Sequence, residues 1–451
     1  MRPSDRDTIV AVATAPGEGA IGIIRLSGQE ALEVAGGRFQ GKQALKTLDD
    51  RSITYGRVTT RDQFLDEVLV SVMRGPRSYT GEDTVEFNCH GGPLILRRII
   101  EVLIDSGARH AEPGEFTRRA FLNGKMDLTQ AEAVVEMIGA KTDLGLESAY
   151  FKLRGGLKKR FEKMAESLRF SISMLEAVLD FSEDVEIDNK AISGPIAEAA
   201  CELEELTRSY TQGKVIRDGA VVTLAGRPNA GKSSLLNRLL EEERAIVTAT
   251  PGTTRDSIEE TVDLSGAPVV LVDTAGLRKS GDPVEQEGTK RTRHAIDRSE
   301  LVLYVVDASL DPMEEDVEQL KGLGGGKRIL VKNKMDLGER PGWSDIDRCD
   351  QVAVSALTGD NIEELRNAIR ESVLGKWEGN RGIITQERHV EALEKAKMSL
   401  SHAQEALAGN LPGEVVAFEL RETLEFLAAI IGETTSDDVL DRIFKTFCIG
   451  K

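Results

Sequence analysis

The chain has 451 residues, of which 40% are hydrophobic and 30% charged, a length for about three domains and a composition that gives no part of it a reason to be disordered. Its formal net charge of −18 excludes a protein that wraps nucleic acid over its whole surface, because phosphate binding needs a positive field, and leaves only local basic patches for that purpose.

Residues 7 to about 120 read as a compact α+β domain. Thr8–Ala13, Ala20–Leu26, Val68–Met73 and Thr84–Cys89 are short β-rich runs bounded by Gly or Pro, and Gln29–Phe39 and Pro93–Ser106 carry helical periodicity. From Leu128 to about Gly213 the pattern is helical. Phe161, Met164, Leu168, Ile172, Leu175 and Leu179 recur at helical spacing, an apolar stripe that faces a bundle core or meets a second chain. The basic run Arg154, Lys158, Lys159, Arg160 and Lys163 reads as a solvated helix face.

The apolar run Ala220–Ala225 leads into Gly226-Arg227-Pro228-Asn229-Ala230-Gly231-Lys232-Ser233 and then Ser234-Leu235-Leu236, which has the strand, Gly-rich turn and helix start of a P-loop. Backbone N–H groups around Ala230 and Gly231 cradle phosphate, Lys232 adds positive charge, and Ser233 offers its hydroxyl to Mg²⁺. Asp273-Thr274-Ala275-Gly276 follows Val269–Val272, putting a carboxylate at a strand end to hold the Mg²⁺ shell and Gly276 near the γ-phosphate. Asn333-Lys334-Met335-Asp336 follows Ile329–Val331, and the Asp336 carboxylate can take both N–H groups of a guanine edge, which adenine does not offer. Ser355-Ala356-Leu357 after Val352–Val354 closes the base pocket. Four motifs in this order, each ending a strand of an α/β domain, read as a GTPase.

In simple Ras-like GTPases a Gln after the Asp-x-x-Gly motif aligns the attacking water; Leu277 stands there instead and cannot. Asn229 and the segment Thr248–Asp256 could enclose a monovalent cation beside the phosphates, supplying the charge that an arginine finger provides elsewhere, with Thr254 as a second Mg²⁺ hydroxyl. Glu285 is a candidate to orient water, or part of a solvated acidic face.

After the α/β domain, Gln386–Ala408, Glu414–Ile431 and Ser436–Phe447 read as helices, with Ser436 an N-cap. Helices on both sides imply that the α/β domain, about residues 215–374, is inserted into one helical domain. Cys448-Ile449-Gly450-Lys451 is not a prenylation box, since Gly is not aliphatic and no polybasic stretch precedes it. Cys89, Cys201, Cys349 and Cys448 form no CxxC pair, and neither a signal-peptide core nor an apolar run of membrane-spanning length is present. A reducing cytoplasm is expected.

Several stretches carry a resemblance over essentially the whole chain: Asp7–Ala11, Gly22–Gly28, Ser78–Asp83, His90–Pro93, Pro113–Lys125, Gly252–Asp256 and Phe447–Lys451. They resemble the MnmE (TrmE) family of tRNA modification GTPases. The resemblance implies a folate-binding, dimerising α+β domain (1–120), a helical domain in two parts (121–214 and 377–451) and an inserted P-loop G domain (215–376). It also implies a homodimer, tRNA as substrate, no membrane, and the FAD-containing partner MnmG (GidA) in a heterotetramer. With that partner the family adds an aminomethyl or carboxymethylaminomethyl group at C5 of the wobble uridine, drawing on 5-formyl- or 5,10-methylene-tetrahydrofolate.

Carried over residue by residue, K⁺ falls on Asn229, Thr248, Thr250 and Thr253, Mg²⁺ on Ser233 and Thr254, and the water-orienting carboxylate on Glu285. GTP contacts run through Asn229–Ser234, Thr248, Thr253, Thr254, Asp273–Gly276, Asn333, Lys334, Asp336 and Ser355–Leu357. Folate contacts fall on Arg25, Glu82, Lys125 and Lys451, and Cys448 matches a near-terminal cysteine with a chemical or packing role. Pro251 departs from the small or apolar residue expected beside Gly252 and stiffens that loop. The competing reading is a regulatory GTPase bound to RNA or the ribosome without one-carbon chemistry, for which Arg25, Glu82 and Lys125 would have no use.

Overall fold

The computed structural model describes residues 7–60, 63–180, 189–241, 259–273, 294–323, 326–343, 346, 349–375 and 382–451. Two units are distinguished, one made of Met1–Val135, Leu153–Glu162 and Leu427–Lys451, the other of Glu136–Lys152 and Lys163–Phe426.

The first unit is built on strands β1 (Ile9–Val12), β2 (Gly19–Ser27), β3 (Phe39–Gly41), β4 (Ser52–Thr59), β5 (Phe64–Met73), β6 (Thr84–Gly91) and β7 (Arg109–His110). Their order is β3-β4-β5-β6-β2-β1-β7, and only β1 and β7 run parallel. Strand alternation sends Ile24 and Leu26, Val68, Val70 and Val72, and Val85, Phe87 and Cys89 into one core. Helices α1 (Ala31–Gly36) and α2 (Pro93–Ile104) close it with Leu32 and Val34 and with Leu96, Ile99 and Leu103. Burial, aided by nearby Asp66, pushes the Cys89 thiol up to about 12, so it packs as a neutral group.

One local expectation shifts here, and one strand enters that had not been expected. The helix expected over Gln29–Phe39 is only α1, because Gly36 and Gly37 end it and Phe39 enters β3, where its ring lies over Gly41 and Gly56. Strand β4 has a weak pattern, Ser-Ile-Thr-Tyr-Gly-Arg-Val-Thr, and is established by its pairing with β5.

The opposite sheet face carries Ile23, Arg25 and Ser27 and continues into exposed Ile21, Ile53, Tyr55 and Leu69. Over its inner end lie α3 (Glu115–Leu122) and the chain terminus. Leu128 and Ala131 pack with Leu440, Phe444 and Phe447, and the Gly114 amide donates to the Cys448 carbonyl at 3.4 Å. The tertiary structure thereby brings residue 451 beside residue 25.

Helices α4 (Leu128–Gly139), α5 (Asp143–Leu153) and α6 (Gly156–Asp180) have residues in both units, and α7 (Asn189–Asp218) belongs to the second. The α6 stripe Phe161, Met164, Leu168, Ile172 and Leu175 is buried, while Leu179 is exposed. Helix α7 packs on the helix Glu387–Ala408. Ile192, Ile196, Ala199, Leu203 and Leu206 alternate in steps of four and three, as do buried Leu393, Ala396, Leu400 and Ala403, so each helix presents one continuous apolar stripe. Lys397 bridges to Glu204 at 2.6 Å across this contact.

Between the helices lies a sheet of β8 (Ala220–Ala225), β9 (Glu259–Leu264), β10 (Ala267–Asp273), β11 (Leu301–Asp307), β12 (Arg328–Asn333) and β13 (Asp350–Ala353). The order is β13-β12-β11-β8-β10-β9, parallel except for edge strand β9. The apolar runs of β8, β10, β11 and β12 are buried on both faces, as a parallel sheet covered by helices requires. Those helices are α8 (Lys232–Glu241), α9 (Glu314–Gly322) and α10 (Ile362–Leu374). The strand order reverses at β8, between β10 and β11, which marks the carboxyl ends of these strands as the ligand crevice. After α10 come α11 (Glu387–Ala408), α12 (Gly413–Ile431) and α13 (Asp437–Phe444). No helix among the described residues is long and apolar enough to cross a membrane.

Where the chain enters and leaves this sheet it is pinned by a buried polar cluster. The Lys152 ammonium donates to Glu136 at 2.7 Å and to the Thr385 hydroxyl at 2.5 Å, Gln386 donates to Glu136 at 2.9 Å, and Arg217 donates to the Thr385 carbonyl at 2.6 Å. Lys152→Met is expected to lower stability by about 3 kcal/mol, because the Glu136 carboxylate stays buried without the ammonium that contacts it. Adding Glu136→Gln should recover most of that loss in chemical denaturation, since no buried charge then lacks a partner.

Candidate functional site

The loop after β8 turns on two glycines. Gly226 has φ +131° and a side chain there would land on the Val305 carbonyl; Gly231 has φ +92° and a side chain there would land on the Asn333 amide. Asn229 between them is also left-handed, φ 65°. Lys232 opens α8 and is buried; its ammonium donates to the carbonyls of Gly226 and Arg227 at 2.8 and 2.7 Å. The Ser233 hydroxyl donates to Asp273 Oδ2 at 2.8 Å. A hydroxyl and a carboxylate side by side at a helix N-terminus are hard oxygen donors of the kind Mg²⁺ takes, so the donor set fits that ion. Ser234 is exposed on the next position of α8.

Asn333, fully buried at the end of β12, joins three loops with one amide. Its Nδ2 donates to the Ala230 carbonyl at 3.0 Å and its Oδ1 accepts the Ala356 N–H at 3.0 Å. Lys334, left-handed at φ 67°, pairs with Asp307 at 2.7 Å. Burial raises the Asp307 carboxyl, but Lys334 and Ser309 more than offset this and hold it below the usual range. Asp336 is exposed, and the Ser355 hydroxyl donates to it at 2.6 Å. Leu357 is exposed beside it, while Arg238 of α8 donates to the Ala356 and Leu357 carbonyls at 3.1 and 2.7 Å.

Asn229, Ala230, Gly231, Lys232, Ser233, Asp273, Asn333, Lys334, Asp336, Ser355, Ala356 and Leu357 are therefore gathered at one end of one sheet. Thr248, Thr250, Thr253, Thr254, Thr274, Ala275, Gly276, Leu277 and Glu285 lie outside the described residues. Asp307 was not among the sequence candidates, although its place at the end of the apolar strand Leu301–Val306 is the same signal that marks Asp273; no signal in the sequence marks Arg238.

The first unit gathers the other candidates. Arg25 bonds Glu86 at 2.7 Å, donates to the Gly450 carbonyl at 3.3 Å, and lies 5.7 Å from the centre of the Phe116 ring. Lys451 is partly buried; desolvation and the neighbouring Arg25 charge lower its pKa, an arrangement that an anion would relieve. Glu82 accepts from the Ser27 hydroxyl at 2.9 Å and from buried Arg119 at 3.0 Å. Arg119 also holds Glu115 at 2.9 Å, and Arg109 holds Glu115 at 2.6 Å. Burial raises the Glu115 carboxyl, but these cations and the Glu112 amide bring it below its ordinary value. Lys125 donates to the Pro76 carbonyl at 2.7 Å, its stem beside Gly81. Cys448 is exposed. The residues Ser27 and Arg119 that hold Glu82 were not identifiable from spacing, because a strand and a helix far apart in the chain supply them.

Comparison with known proteins gives two family models. One described as the MnmE helical domain matches residues 128–448, and one described as the GTP-binding protein TrmE N-terminus matches residues 8–125. Among curated relatives, the tRNA modification GTPase MnmE of Syntrophus aciditrophicus is 44% identical over 99% of this chain and 100% of its own. That of Syntrophotalea carbinolica is 44% identical over 99% of each, and that of Symbiobacterium thermophilum 45% identical over 99% of each. A crystal structure of a variant of Aquifex aeolicus Era bound to GDP.AlF4- aligns with 40% of this chain and 66% of its own, at 23% identity and a TM-score of 0.28.

Proposed function

Because the chain belongs to the MnmE family of tRNA modification GTPases, we propose that it is a K⁺-dependent GTPase, activated when two copies pair, that works in the cytoplasm with the FAD-containing protein MnmG (GidA). In a heterotetramer the two add an aminomethyl or carboxymethylaminomethyl group to C5 of the wobble uridine of tRNA. The one-carbon unit comes from 5-formyl- or 5,10-methylene-tetrahydrofolate. The proposed domain layout is 1–120 for folate and pairing, 121–214 with 377–451 for the helical domain, and 215–376 for the G domain.

The observation that carries the nucleotide reading is the Asn333 amide, which ties the phosphate loop at Ala230 to the base loop at Ala356. The loops proposed to meet phosphate and base are thus joined by hydrogen bonds through one side chain. Lys232 leaves the Gly226 and Arg227 carbonyls to meet phosphate oxygens, and Asp336, oriented by Ser355, accepts the two N–H groups of guanine. Ser233, with its partner Asp273, and Thr254 would hold Mg²⁺, which would supply charge that neutralises the phosphates. Asn229, Thr248, Thr250 and Thr253 are the proposed K⁺ ligands and Glu285 the water-orienting group.

Folate binding is supported by the closeness of Arg25 and Lys451, two cations suited to a carboxylate tail, and by Glu82 held as a carboxylate acceptor. Pairing of two copies is supported by the exposed apolar sheet face of Ile21, Ile53, Tyr55 and Leu69, which continues from Arg25. Steady-state GTP hydrolysis in K⁺ and in Na⁺ at equal ionic strength tests the proposal. Faster turnover in K⁺ that Asn229→Ala removes is the expected result, with Glu285→Ala slow in both salts. Equal rates in the two salts would refute the cation-dependent part.

A further inference from the structure

The second residue of the phosphate loop is tied to a helix that no nucleotide motif includes. Arg227 Nη1 donates to Asp316 Oδ2 at 3.1 Å, across 89 positions of sequence. Asp316 lies in the first turn of α9 and is 3% exposed. The same Oδ2 accepts the Met313 N–H at 3.2 Å, and the Tyr304 hydroxyl lies 3.3 Å from Oδ1 and 3.1 Å from Gln319 Oε1, so its one proton is shared between them. Tyr304 sits on β11 opposite Ala225, the last residue of β8. Burial and the adjacent Asp316 carboxylate raise the Tyr304 pKa, so the phenol stays a neutral donor. Asp316 therefore grips the β8–loop junction from two sides.

The backbone of Arg227 faces the phosphate side. Its carbonyl accepts the Lys232 ammonium at 2.7 Å and the Ala230 N–H at 3.4 Å. One residue thus links a buried carboxylate, through its side chain, to the lysine and turn that meet phosphate, through its carbonyl. We propose that Arg227 and Asp316 form a brace that sets the shape of the phosphate loop, making both positioning residues for nucleotide, acting through Lys232 and the Gly226–Gly231 backbone. The proposal rests on the guanine-nucleotide reading above.

The test separates positioning from mere stability. Arg227→Met leaves the Asp316 carboxylate buried without its cation and should lower the thermal midpoint; Arg227→Met with Asp316→Asn removes both charges and should restore it. A fluorescent GDP analogue titrated into the full-length chain should bind about tenfold more weakly to Arg227→Met, an effect the size of one charge-assisted hydrogen bond. Affinity should stay about tenfold low in the stable double variant and partly return in Arg227→Lys, since an ammonium on a shorter reach keeps the charge but not the fork. Recovery of affinity together with stability in the double variant would overturn the brace. Failure of the unaltered chain to bind the analogue would instead sink the nucleotide reading itself, and the brace with it.

Discussion

Lys232→Ala is expected to lower kcat/KM for GTP by about 10³-fold, the range seen when one preorganised donor is removed from developing charge, while circular dichroism and the thermal midpoint stay near those of the parent. The reason lies in how Lys232 is stored. Its buried ammonium rests on the carbonyls of Gly226 and Arg227 at 2.8 and 2.7 Å, within the loop it serves. Moving to phosphate therefore exchanges one set of oxygens for a more negative one, with little rearrangement of the loop. Truncation removes the charge without touching the apolar core of β8 and α8, where Val222, Leu224, Leu235 and Leu239 pack. Lys232→Arg should not rescue turnover, because a planar guanidinium is too wide for a cradle made of two adjacent carbonyls. Rapid GTP turnover by Lys232→Ala would mean that the phosphates lie elsewhere.

Asp336→Asn should weaken GTP by about 10³-fold, as expected when a carboxylate accepting two N–H groups is replaced by an amide, and shift preference toward XTP. Xanthine carries a carbonyl where guanine has its amino group, and the Asn amide can donate to it. Asp336 is exposed and its partner Ser355 lies on the neighbouring loop, so the substitution changes recognition without opening the core. The ratio of kcat/KM for GTP and XTP is the measurement. A ratio still favouring GTP as strongly as the parent would show that another group reads the base.

These two residues were legible because their chemistry is local: a glycine-bounded turn before a helix, and an acidic residue closing a motif at a strand end. Asp307 closes an apolar strand as Asp273 does and could have been found by that signal, but the partners of Asp307, Arg238 and Asp316 were not legible. Each serves the site through a partner at least one strand or helix away, Lys334, the Ala356 and Leu357 carbonyls, and Arg227, and nothing in the neighbouring residues marks such a pairing. In the first unit the same limit applies to Ser27 and Arg119, which hold Glu82 from β2 and α3.

Local sequence is enough for the classes of structure: strands that alternate or run apolar, helices with one apolar stripe, glycines where the loop needs left-handed backbone, and the order of motifs that marks a guanine-nucleotide site. Short-range sterics and periodicity suffice for these, since each depends on residues a few positions apart. Long-range packing was needed to place Phe39 in a strand, to pair Ser52–Thr59 with β5, to join phosphate and base loops through Asn333, and to set Lys451 beside Arg25. Those outcomes come from burying apolar faces together and from satisfying polar groups carried along with them. Both conditions are met by residues distant in the chain, and the chain order alone does not say which.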